Sequence, residues 1–100
     1  MAKYIALHTL KKSADEFMKA ITAGSAEIAQ AMAAGKTPAR CLKTWNPIPH
    51  GRTDYVFCLW EADKAEDVVA TIEQFKLHDY LTVDNMKVDE IDWPEMAKTV

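Results

Sequence analysis

The stretch Tyr55-Val56-Phe57-Cys58-Leu59-Trp60-Glu61-Ala62-Asp63-Lys64-Ala65-Glu66-Asp67-Val68 decides the fold. Asp54 to Glu61 is rich in aromatic and β-branched residues, which suit a pleated strand. Asp63 to Glu66 then has a capping pattern ahead of Val68, Ile72 and Phe75 at helical spacing, so the strand runs directly into a helix that ends near Leu77. Successive side chains of a strand point to opposite faces, so Val56, Cys58, Trp60 and Ala62 share one side, and Tyr55, Phe57, Leu59 and Glu61 the other. Both sides are apolar for most of their length, whereas a strand wetted on one side alternates with polar residues. Both are therefore expected to be covered.

Upstream, Tyr4 to Leu10 alternates Ile5, Leu7 and Thr9 with Tyr4, Ala6, His8 and Leu10, the pattern of a first strand. Ser13-Ala14-Asp15-Glu16 is a capping box that starts a long helix with apolar positions Phe17, Ile21, Ile28 and Met32, and Gly35 offers a left-handed stop. Gly24-Ser25 is the expected point for a kink or a split. Ala39 to Asn46 reads as a second strand, joined through Pro47 to Gly51 in a hairpin with the strand at 54–61. Thr82 to Ile91 is a weaker last strand, and Trp93-Pro94 opens a tail. The order β-α-β-β-α-β makes this an α+β, ferredoxin-like domain: a four-stranded antiparallel sheet of order 4-1-3-2 with both helices on one face. One domain over 1–100 follows, with a core at 3–92 and a tail at 93–100.

Two helices on one face leave the other bare. Tyr55, Phe57 and Leu59 exposed together forgo several kcal/mol of burial at roughly 25 cal/mol per Å². A two-fold partner is the simplest cover, so a homodimer or higher homo-oligomer is expected.

Composition narrows the function classes. The 100 residues are 49% hydrophobic and 27% charged with a net charge of −3, so no broad cationic surface exists for nucleic acid or anionic lipid. The longest apolar run, Tyr55 to Trp60, is far short of a membrane helix, which needs about twenty residues. Met1-Ala2-Lys3-Tyr4 enters the first strand with no leader pattern, so a cytoplasmic location is expected. Cys41 and Cys58 form no C-x-x-C pair and read as reduced, packed thiols. No phosphate-binding glycine loop, G-x-S-x-G or H-E-x-x-H occurs, which excludes kinase, α/β-hydrolase and zincin chemistry.

The element order, the length and the segment Phe57 to Val68 resemble the dimeric α/β-barrel superfamily of ferredoxin-like proteins, over about residues 3–92 and closest to its small stand-alone members of uncharacterised function. The resemblance implies two sheets packed face to face. That superfamily includes cofactor-free monooxygenases, haem-degrading enzymes, chlorite-dismutase-like proteins, stress-responsive barrels and metal-binding members. The haem-degrading pattern is not matched residue by residue, so no catalytic residue is carried over.

Two places suit chemistry. If opposed residue numbers in the hairpin sum to 100, Cys41, Lys43 and Trp45 share a face with Leu59, Phe57 and Tyr55. With Tyr4, His8 and Glu61 they form an apolar pocket with a few polar groups on the helix-distant face. A shift of one residue sends the Cys41, Lys43 and Trp45 set to the helix face instead. Lys43 is expected to reach solvent at the edge, with the aromatics as dimer core. The function expected is binding of a small apolar or aromatic ligand, or a small enzyme resembling the cofactor-independent monooxygenases with His8 as catalytic proton acceptor; no cofactor is required. The alternative is a metal-binding or metal-responsive protein holding a divalent transition metal at the edge that carries His8, His50, His78 and Asp84. A purely structural oligomer is the third reading.

Overall fold

The structure is a computed structural model and describes residues 1–99. Four strands, β1 (Ala2–Thr9), β2 (Arg40–Trp45), β3 (Tyr55–Ala62) and β4 (Asp84–Val88), form one antiparallel sheet of order β2-β3-β1-β4. This is the expected order 4-1-3-2. The helices α1 (Ala14–Ala33) and α2 (Ala65–Gln74) occupy the two crossovers, and a short α3 (Trp93–Ala97) follows β4. The central pair β1 and β3 is in register from Ala2 opposite Ala62 to Thr9 opposite Tyr55. Phe17 of α1 and Val68 and Ile72 of α2 join Tyr4, Ala6, Val56, Cys58, Trp60 and Ala62 in one core, so both helices cover the same face.

Local chemistry explains where the elements begin and end. Ser13 caps α1, its Oγ accepting from the Glu16 amide at 3.2 Å. The helix does not break at Gly24-Ser25, because alanine-rich sequence on both sides carries it through. The cap of α2 falls on Lys64 rather than Asp63 and makes no side-chain bond, while Glu66 and Asp67 complement the dipole of its first turn. That helix stops at Gln74, three residues before the expected end, because Lys76 turns left-handed at φ 58°. β4 is shorter than Thr82 to Ile91. Thr82 instead binds Thr9 through both its backbone amide (2.9 Å) and its hydroxyl (3.1 Å), and Ile91 lies outside the strand. The tail contains α3, capped by Asp92 Oδ1 accepting from the Glu95 amide at 3.1 Å.

The two sheet faces differ in cover. On the helix side Tyr4, Ala6 and His8 are buried beside Val56, Cys58, Trp60 and Ala62. On the open side Leu7, Trp45 and Met86 are exposed, whereas Leu59 is only 8% exposed, flanked by Ile5 on β1 and Lys43 on β2. The expectation that Leu59 faces water without a partner is therefore corrected: its cross-strand neighbours already shield it. The hairpin holds a bulge. Arg40 and Cys41 oppose Glu61 and Trp60, but Lys43, Thr44 and Trp45 oppose Leu59, Cys58 and Phe57, with Leu42 as the extra residue.

Candidate functional site

The inward stripe of α1 runs Phe17, Ile21, Gly24-Ser25, Ile28, Met32, so large side chains flank a gap at its centre. Beneath it the sheet offers small residues, Ala6 and Cys58. The result is a cavity of about 300 Å³ between α1 and the sheet. Phe17, Ile21, Ile28 and Met32 form its helical wall, and His8, Val56, Cys58 and Trp60 form its floor. Ile72, Leu77 and Leu81 close the side toward α2, and Cys41, Thr44 and Asn46 stand along edge strand β2 and its end.

Two ring nitrogens in this apolar surround have no partner in the protein: Nε2 of His8 and Nε1 of Trp60. His8 is 1% exposed, and its Nδ1 lies 2.9 Å from the Thr82 carbonyl oxygen. A carbonyl only accepts, so Nδ1 carries the hydrogen and Nε2 is left as a bare acceptor. Burial pushes the imidazole below its usual pKa, and the Thr82 bond pulls the other way only in part. The ring is therefore neutral at neutral pH. Asn46, by contrast, is occupied on both sides, donating to Met18 Sδ and accepting from the Ile48 amide.

A second polar group lines the same cavity. Thr44 Oγ1 sits 3.1 Å from Cys58 Sγ and 3.6 Å from Cys41 Sγ. The neighbouring Cys58 thiol is the chief influence that lowers Cys41 to about 7, against the opposing effect of burial. Cys58 is pushed up by the same contact and by its own burial. Both thiols are free.

The residues expected to form a pocket on the helix-distant face do not share one. Tyr4 and His8 lie on the helix side, because β1 pairs with β3 so that Tyr4 opposes Trp60 and His8 opposes Val56. Lys43, Trp45, Tyr55, Phe57, Leu59 and Glu61 are on the open side as expected. Cys41 is not, since the bulge at Leu42 turns it to the helix side. Trp45 stacks on Phe57 at 5.6 Å between ring centroids, and Tyr55 lies 6.3 Å from Phe57. Glu61 pairs with Arg40 at 3.2 Å at the far end of the sheet, and Lys43 is exposed at the edge.

The histidine edge does not converge either. Among the described residues, no three His, Cys, Asp or Glu side chains are placed to hold a metal ion. His8 is buried under the helices, His50 and His78 are exposed on single-turn 3-10 segments, and Asp84 opposes Leu7 on the other face. The His78 ring lies 3.7 Å from its neighbour Asp79, and the His78 carbonyl accepts from Lys11 Nζ at 2.9 Å. Sequence reasoning missed Trp60, Thr44 and Cys58 as site residues and placed Cys41 on the opposite face. The available signal was the pair Gly24-Ser25 in the middle of an apolar helical stripe.

No protein-family model matches the chain, and no curated protein matches it. Among solved structures, an uncharacterized NIPSNAP domain protein from Burkholderia xenovorans matches over 93% of this chain and 97% of its own, with a TM-score of 0.53 and 15% identity. The fold is ferredoxin-like. At that identity the likeness extends to the fold alone. A REP-associated tyrosine transposase bound to a REP hairpin matches over 99% of this chain and 62% of its own, at TM-score 0.49 and 10% identity, too low to bear on fold or function. Among the described residues no helix is long and apolar enough to cross a membrane.

Proposed function

We propose that the protein binds a small, largely apolar or aromatic molecule carrying a hydroxyl group in the cavity between α1 and the sheet. The observation that supports this is the pairing of an apolar space of about 300 Å³ with two buried, unpartnered ring nitrogens on its floor residues. That volume lies at the small end of the range for ligand sites, about 300–1,000 Å³. A buried donor or acceptor left unmet costs roughly 1–3 kcal/mol. A ligand hydroxyl can donate to His8 Nε2, and a separate acceptor on the ligand can take the hydrogen of Trp60 Nε1, four positions along the sheet.

Titration with 2-naphthol, with naphthalene as the control lacking the hydroxyl, tests the reading by calorimetry. 2-Naphthol is expected to bind one to one and about tenfold more tightly, the ratio corresponding to about 1.4 kcal/mol. His8→Phe should remove that advantage, and Ile28→Trp, which fills the space, should lose both ligands at unchanged helix content. No 2-naphthol binding at millimolar concentration, or binding that survives Ile28→Trp, refutes the proposal.

The same imidazole supports a second reading. Neutral His8 with a free Nε2 is the form that takes up a proton, so an acidic aromatic hydroxyl bound there can be deprotonated, the step that opens cofactor-independent oxygenation by dioxygen.

The protein is further proposed to be a homodimer, or a larger homo-oligomer, joined through the helix-free face as in a dimeric α/β barrel. Support comes from the exposed Leu7, Trp45 and Met86 beside half-buried Ile5, Tyr55 and Phe57. Light scattering at micromolar concentration should return twice the 11.2 kDa chain mass, and Leu7→Glu with Met86→Glu should return 11.2 kDa. A wild-type monomer removes the dimer and leaves the cavity untouched. Two free thiols fit a reducing compartment such as the cytoplasm.

A further inference from the structure

We infer that Cys41 is a nucleophilic thiol that captures electrophilic ligands of the α,β-unsaturated carbonyl class entering the cavity between α1 and the sheet. The inference rests on the ligand-binding reading for the apolar part of such a ligand, and on the thiol group for its reactive part.

The geometry begins with the bulge. In an unbroken strand Cys41 and Thr44 point to opposite faces; the extra residue Leu42 brings both to the cavity side, opposite Trp60 and Cys58. Thr44 Oγ1 then lies within 3.6 Å of Cys41 Sγ and 3.1 Å of Cys58 Sγ, so two thiols share one hydroxyl. Their surroundings divide the roles. Cys41 is half-buried on an edge strand and lines the cavity, so a ligand inside it can reach the sulfur, whereas Cys58 is buried on a central strand. Neutral Cys41 donates to the Lys43 carbonyl at 3.4 Å, which leaves its lone pairs to accept from the Thr44 hydroxyl at 3.6 Å.

Once Cys41 loses its proton to water, the Thr44 hydroxyl already in place can donate to the thiolate, with the Cys58 thiol close by, consistent with its lowering to about 7. The other titratable groups lining the cavity are Cys58 and His8; Lys43, Arg40 and Glu61 belong to the opposite face. The unpartnered nitrogens of His8 and Trp60 on the same floor independently indicate that polar groups of a ligand are received here. The thiolate adds to the β-carbon of the ligand, forming a C–S bond, and the alkene π pair moves to the α-carbon, which takes a proton from water. The net change is addition of S–H across C=C, with no oxidant or reductant.

Maleimides are members of the class and serve as the probe. Intact-mass kinetics with N-phenylmaleimide should show one fast adduct, mapped to Cys41, whose rate rises with pH through a midpoint near 7. Thr44→Val and Cys58→Ala should each move the midpoint toward the ordinary thiol value of about 8.5, and Cys41→Ser should abolish the fast adduct. Labelling at Cys58, or a Cys41 midpoint equal to that of glutathione in parallel, overturns the inference. Prior addition of 2-naphthol separates the two readings. Fast labelling that it fails to slow keeps the nucleophile and removes the small-ligand reading, whereas bound 2-naphthol beside an ordinary Cys41 does the reverse.

Discussion

Phe17→Ala is expected to cost about 3–5 kcal/mol in urea unfolding, the usual range for truncating a buried aromatic. Phe17 is 4% exposed and is the one residue of the twenty in α1 that is fully buried. The rest of its inward stripe, Ile21, Ile28 and Met32, is half-buried beside the cavity. A domain of this size holds only about 5–15 kcal/mol in total, so one side chain anchors a large share of the helix-to-sheet attachment. Ile28→Ala, next to space that is already open, should cost much less than Phe17→Ala. Amide exchange supplies a second readout: the C-terminal half of α1 should exchange well before β1 and β3. A Phe17→Ala protein within 1 kcal/mol of wild type rules out this anchoring.

Acid should destabilise the protein through His8. Its folded pKa lies below the ordinary 6.5, chiefly because burial disfavours the imidazolium. Above 6.5 the ring is neutral in both folded and unfolded chains, and its contribution to stability is fully present. As pH falls below 6.5 the unfolded chain takes up the proton first, so stability declines until the folded pKa is reached. The slope from one such group approaches about 1.4 kcal/mol per pH unit. Urea midpoints for wild type and His8→Phe between pH 7 and 5 isolate it: the wild type should lose stability relative to the variant. Binding of 2-naphthol should hold through this window and weaken only below the folded pKa, where protonation removes the Nε2 acceptor. Parallel pH profiles for the two proteins show that His8 does not titrate differently on folding.

Element order, sheet order and the helix-covered face of 55–62 were legible because periodicity reports them directly. The two apolar sides of 55–62 sort as observed, but the alternation of Tyr4, Ala6, His8 and Leu10 placed Tyr4 and His8 on the helix-distant face, opposite to the observed pairing. Pocket position was not legible, for two physical reasons. Parity within β1 assigns His8 to one side or the other only once Tyr4 is known to meet Trp60. The bulge at Leu42 separates Cys41 from Lys43 and Trp45, and no turn or glycine marks it in the sequence. The histidines failed to converge for a related reason: a shared sheet edge does not fix which face each side chain takes, and Asp84 and His8 take opposite ones.

The walls of the cavity differ in stiffness. Its floor comes from the two central strands, each paired on both sides, so the spacing between imidazole, indole and thiol is fixed by backbone ladders. Its roof is a long rod pinned near one end by a single aromatic ring, with half-buried side chains beyond. Under the ligand-binding proposal, discrimination by hydrogen bonding belongs to the rigid floor. Tolerance of ligand length and bulk belongs to the yielding roof, so guests that differ in girth but place one polar group alike should be accommodated by the same chain.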